Sequence, residues 1–186
     1  MSRISILYAL ILGALFCCAC TGAGNHKKKL ADELRMFRET AILFPNDLLA
    51  KRYDGQTPDS SLWDCPLKMV VYVNREGCES CKLMSLLPVY QFALEHKRFK
   101  KFGMILILSP SHIESAEEFL APFRFHYTIF YDLDDSFERL NPHLPKNERF
   151  HTFLLDENNK VILIGNPTQN LKLKKLYIKE LNKRCL

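Results

Sequence analysis

The chain has 186 residues, 47% of them apolar, which suits one domain with a real core and excludes a disordered chain. Its net charge of +5 comes from 26 basic and 21 acidic residues mixed along the sequence, so no basic stripe for nucleic acid exists and no nucleic-acid partner is expected. Internal repeats and low-complexity tracts are absent, and only one long apolar segment occurs, at the start.

That segment reads as an export leader. Arg3 precedes an uncharged stretch from Ile4 to Ala19, too short for a comfortable membrane span. It runs into Leu15-Phe16-Cys17-Cys18-Ala19-Cys20, where a small residue just before a cysteine resembles a bacterial lipobox, with Cys17 in place of the usual aliphatic residue. Residues 1–19 are read as a lipoprotein signal peptide and Cys20 as the lipidation site, with an ordinary signal peptide or an uncleaved anchor as the alternative. Residues 20–29 form a polar tether whose three lysines suit anionic headgroups or plain solvent. The expected location is the bacterial cell envelope, lipid-anchored to a membrane and facing the periplasm.

Residues 30–66 read as an N-terminal extension. Leu30, Leu34 and Phe37 at helical spacing predict a helix to about Arg38, Ala41–Phe44 an edge strand stopped by Pro45, and residues 54–66 a loop. Residues 67–186 then alternate. Lys68–Asn74 is a buried strand, Cys81 to about Lys97 a helix that Pro88 bends or divides, and Gly103–Ser109 a strand apolar throughout. His112–Phe119 is helical, Tyr127–Tyr131 a short strand, and Asp132–Ser136 caps a short helix through Leu140. Its acids lack calcium-loop spacing. Thr152–Leu155 and Val161–Ile164 flank an Asn- and Asp-rich turn, a hairpin signal. Thr168–Arg184 closes the chain as an amphipathic helix with Leu173, Leu176, Tyr177 and Leu181 toward the sheet.

The chemistry concentrates at Cys78-Glu79-Ser80-Cys81, between the first buried strand and its helix. The unpaired N–H groups of a helix N-terminus favour a thiolate at Cys78, and Cys81, one turn on, is placed to attack a mixed disulfide formed there. The same spacing in a loop, with a second cysteine pair, would instead suit zinc. Of seven cysteines, Cys65 and Cys185 are left over once the leader, Cys20 and the tetrad are set aside.

The strand–CxxC–Lys82 pattern together with the hairpin Phe153 to Pro167 resembles the thioredoxin-like superfamily, in particular the membrane-anchored bacterial thiol–disulfide oxidoreductases. The resemblance spans about residues 67 to 182 and implies a three-layer α/β/α fold with a mixed central sheet. It implies Cys78 as exposed nucleophile and Cys81 as resolving thiol, acting as reductant or isomerase on exported protein thiols and disulfides, with an envelope electron donor and no cofactor. The family's cis-proline position falls on His151, where a trans peptide is expected. The family's buried acid falls on Tyr72, so any base for Cys81 comes from elsewhere. Glu79, beside the nucleophile, partly opposes the effect of the helix terminus. His151 is read as space-filling, as tuning the thiols, or as completing a metal set with Cys78 and Cys81; a metallochaperone and a non-catalytic interaction domain are the alternative functions. A peroxidase is disfavoured, because Asn74-Arg75-Glu76-Gly77 lacks the Pro and Thr that peroxiredoxins place ahead of their nucleophile. In this fold Cys65 and Cys185 fall toward the pole opposite the dithiol, where a structural disulfide between them is possible.

Overall fold

The computed structural model describes residues 26–76, 79–123 and 125–185. The leader and Cys20 lie outside them. The chain divides into two units, Met1–Met36 and Phe37–Leu186. Helix α1 runs through residues 26–39. No helix among the described residues is long and apolar enough to cross a membrane.

The second unit is built on six strands: β1 (Leu49–Lys51), β2 (Leu67–Val73), β3 (Phe102–Leu108), β4 (Ile129–Tyr131), β5 (Thr152–Leu155) and β6 (Val161–Ile164). They form one sheet in the order β1-β4-β3-β2-β5-β6. The pairs β2–β3 and β3–β4 are parallel, whereas β1–β4, β2–β5 and β5–β6 are antiparallel. The expected mixed sheet is therefore present. Helices α2 (Glu79–Glu95), α3 (Ile113–Leu120), α4 (Ser136–Leu140) and α5 (Leu171–Cys185) surround it.

Strand alternation sends side chains into two cores. Leu67, Met69 and Val71 of β2 join Leu83 and Leu86 of α2, Leu120 of α3 and Tyr177 of α5 on one face. Val70 and Tyr72 join Phe37, Ile42, Leu62, Phe137 of α4 and Phe153 on the other. Phe37, Ile42 and Leu62 thus cover the second face of the sheet from within the same unit.

Three expectations need correction. Ala41–Phe44 is not a strand: Ala41 makes one isolated bridge to Lys160, and the edge strand is β1 instead. The physical reason is Asn141, fully buried, whose amide takes both backbone groups of Leu43. Leu43 N–H donates to Asn141 Oδ1 at 2.9 Å, and Asn141 Nδ2 donates to Leu43 O at 2.8 Å. A side chain replaces the neighbouring strand. Asn141→Ala is accordingly expected to lower stability by about 2 kcal/mol in urea unfolding, because two backbone groups lose their partner.

Second, the loop of residues 54–66 contains a 3-10 helix, Ser60–Asp64, capped by Asp59, whose carboxylate accepts from Ser61 N–H at 3.0 Å. Third, Leu176 is exposed rather than turned to the sheet; Tyr177 and Leu181 hold α5. That helix starts at Leu171 because Asn170 Oδ1 accepts from Lys172 and Leu173 N–H at 2.9 and 3.1 Å. Pro88 lies inside a single helix α2 and does not divide it. The capping role expected for the acids after β4 holds: both Asp132 carboxylate oxygens accept N–H groups of α4, from Ser136 and Phe137, at 2.8 Å each.

Candidate functional site

Strand β2 is central and buried, so it delivers its C-terminal end to a fixed place at the C-terminal end of the parallel strands. Cys81 lies on the first turn of the helix that follows, is exposed, and is disulfide-bonded. Cys78 falls outside the described residues, as do the side chains of Glu79 and Ser80.

Lys82 organises the surroundings of Cys81. Its ammonium donates to Glu148 Oε1 at 2.8 Å, to Asn74 O at 3.2 Å, and to Asn74 Oδ1 and Glu76 O. One side chain therefore ties the first turn of α2 to the loop after β2 and to the segment before β5. Arg75 ties that loop on its other side: its Nε donates to Asp135 Oδ1 at 2.9 Å and its Nη2 to Leu133 O at 2.8 Å. Lys82→Met, which strands the carboxylate and the Asn74 amide oxygen, is expected to cost about 1–3 kcal/mol in urea unfolding. Lys82→Arg should restore part of it; equal stability of Met and wild-type proteins would show that the four contacts are solvent-compensated.

His151 and Tyr72 meet beside this clamp. Tyr72 N–H donates to His151 O at 2.9 Å, and the two rings lie 5.3 Å apart between centroids. Both side chains are buried. His151 Nε2 lies 2.7 Å from Pro145 O. A carbonyl only accepts, so Nε2 carries the proton and Nδ1 is the bare nitrogen. Nδ1 is itself buried without a hydrogen-bond partner. No peptide bond among the described residues is cis. The Tyr72 hydroxyl donates to Glu138 Oε2 at 3.3 Å, and burial, followed by the charges of Glu138, Asp132 and Asp135, holds the phenol far above its ordinary value. Tyr72 is thus a neutral hydrogen-bond donor at the position where the family resemblance expects an acid.

Burial pushes the His151 imidazole below its ordinary 6.5, against the opposing pulls of Pro145 O, Glu138 and Glu148, while Lys82 adds to the lowering. His143 is also lowered by burial. Both residues take up protons more readily in the unfolded chain. Their contribution to stability is complete above about pH 6.5 and is lost as pH falls below it toward their folded values. Thermal melting across pH 7.5 to 5 is expected to show this decline, and His151→Asn should flatten part of it.

Lys82, Ser85, Glu148, His151, Asn166 and Gln169 border a cavity of about 90 Å³ between α2, the segment before β5 and the loop after β6. No cluster of three His, Cys, Asp or Glu side chains able to hold a metal occurs among the described residues. Cys65 and Cys185 are both free thiols, so the disulfide considered between them is not formed in this structure. They sit away from Cys81, by the N-terminal ends of β2 and β3. Sequence reasoning missed Glu148, Asn74 and Arg75. The legible signal was Asn147, which caps the short helix Glu148–Phe150 through its Oδ1 and so presents Glu148.

No family model and no curated protein matches the sequence. Solved structures do match. A protein from Chlorobium tepidum named as thiol:disulfide interchange protein DsbE aligns with a TM-score of 0.54 at 18% identity, over 76% of this chain and 96% of that one. A protein from Neisseria meningitidis named as a thioredoxin gives 0.52 at 13% identity, over 78% and 93%. The bacterioferritin comigratory protein of Xanthomonas campestris, described for alkyl peroxide reduction, gives 0.50 at 12% identity, over 79% and 100%. At such identities the likeness speaks for architecture. Together with the β2–β3–β4 parallel core, the β5–β6 hairpin and the disulfide-bonded cysteine on the first turn of α2, it establishes that the chain has a thioredoxin-like fold.

Proposed function

We propose that the chain is a thiol–disulfide oxidoreductase of the bacterial envelope, lipid-anchored through Cys20 and acting through Cys78 and Cys81. The observation that carries this reading is Cys81 itself: exposed, disulfide-bonded, and on the first turn of a helix fed by a central strand. In the reductive direction the Cys78 thiolate attacks a client disulfide, forming a mixed disulfide and releasing one client thiolate, which takes a proton. Cys81, deprotonated, then attacks the Cys78 sulfur and expels the second client thiol. The client gains two electrons and the Cys78–Cys81 pair becomes a disulfide, which an envelope dithiol donor reduces again. The cavity beside Lys82 and His151 is far smaller than the roughly 300–1,000 Å³ of small-molecule sites and suits one side chain of a protein client. His151 in this reading fills the family's cis-proline position as a neutral imidazole, fixed by Pro145 O, rather than as a thiol-activating cation.

The test equilibrates the purified protein with reduced and oxidised glutathione, then follows reduction of a disulfide-bonded protein such as insulin by the reduced form, with hydrogen peroxide as a parallel substrate. Exchange at the dithiol with insulin reduction and no peroxide consumption supports the proposal. A dithiol that reduces no disulfide marks an interaction domain, and rapid peroxide consumption marks a peroxidase.

A further inference from the structure

Cys65 and Cys185 stand far from the proposed dithiol and have no part in it. Cys65 precedes β2, whose seven residues span roughly 23 Å before the loop to the redox motif begins. Its Sγ rests against the start of β3: a Cβ placed on Gly103 would come within 2.9 Å of it, so the glycine leaves the space the sulfur occupies. Cys185 ends α5, is half-buried, and packs against the core shared by β2, β3 and α2, with its neighbour Arg184 3.6 Å from Glu157 in the turn between β5 and β6. The charged or titratable side chains near enough to act on its thiol are Lys101, Cys65 and Arg184. Two half-buried thiols therefore bracket the same stretch, Lys101 to Gly103. Burial pushes both upward from their ordinary value, more than Lys68 beside Cys65 or Lys101 beside Cys185 pulls them down. Both are therefore mainly protonated near neutral pH, and closure runs through a small thiolate fraction.

We propose that Cys65 and Cys185 are a second dithiol, which closes reversibly to a disulfide joining the last turn of α5 to the segment before β2. Two S–H bonds break and one S–S bond forms. The two electrons and two protons pass to a disulfide oxidant, a low-molecular-weight disulfide such as oxidised glutathione, which leaves as two thiols. The bond closes a loop of more than a hundred residues, so it restricts the unfolded chain strongly, and it pins a helix that otherwise holds the sheet through Tyr177 and Leu181.

The experiment uses the full chain, reduced, dialysed into oxidised glutathione, acid-quenched, alkylated and peptide-mapped without reductant. The expected result is a peptide pair linked through Cys65 and Cys185, formed equally in a Cys81→Ser background. Oxidised wild-type protein should melt on the order of 5–15 °C above oxidised Cys185→Ser. Full alkylation of Cys65 and Cys185 while Cys81 stays oxidised overturns the proposal, as do linkages from either to Cys78, Cys81 or a second chain. Because the mapping is done on wild-type protein, poor folding of a variant does not blunt it, and loss of insulin reduction leaves it untouched.

Discussion

Cys81→Ser is expected to lower turnover in the insulin-reduction assay by about a thousand-fold or more while leaving the first attack intact. The serine hydroxyl cannot displace Cys78 from the mixed disulfide, so client protein stays covalently attached and appears as a reductant-sensitive adduct on gels. Cys78→Ser should give neither turnover nor adduct. The pair of results also assigns direction. Cys81 is exposed, so its sulfur is within reach of a client, and an adduct formed by Cys78→Ser but not by Cys81→Ser would make Cys81 the entering thiol.

The largest loss of stability is expected from Phe153→Ala, about 3–5 kcal/mol. The ring is fully buried in the second core and meets Phe37 edge-on with centroids 5.0 Å apart. It also sits two residues after His151, on the strand that pairs with β2. Removing it opens a cavity that β5 cannot close without giving up its register. Urea unfolding should show a lower midpoint with an unchanged slope; an unchanged midpoint would mean that the Phe37–Phe153 contact is not part of the cooperative core.

Much of this architecture was legible because its signals are local. Strands β2 and β3 are continuous apolar runs, the hairpin carries its own turn, and the cysteine tetrad marks the start of α2. The edge of the sheet was not legible, since what decides it is a contact across 98 positions: Asn141 consumes the backbone of Leu43, and an apolar run that looks like a strand is left without one. The site divides in the same way. Cys81, Lys82, Tyr72 and His151 could be named from motif and register. The role of Lys82 could not, because Glu148 lies 66 residues away and joins it only once β5 pairs beside β2. His151 shows the same limit. Its position suggested three roles, and the Pro145 carbonyl, a contact with no sequence signature, fixes its tautomer.

Pro88 has a mechanical consequence for helix α2. Proline has no N–H, so the carbonyl of Met84, four residues back, lacks its intrahelical donor. Pro88 is exposed, so water can take that place at little cost. The amide ladder of α2 is therefore interrupted between the turn that carries Cys81 and the stretch anchored by Phe92 and Ala93. Leu83 and Leu86 keep the first turns docked on the core, so the missing bond loosens the exposed face of the helix rather than releasing its start. A small bend at Pro88 is thus the motion available to the Cys81 end of α2 without loss of its core contacts.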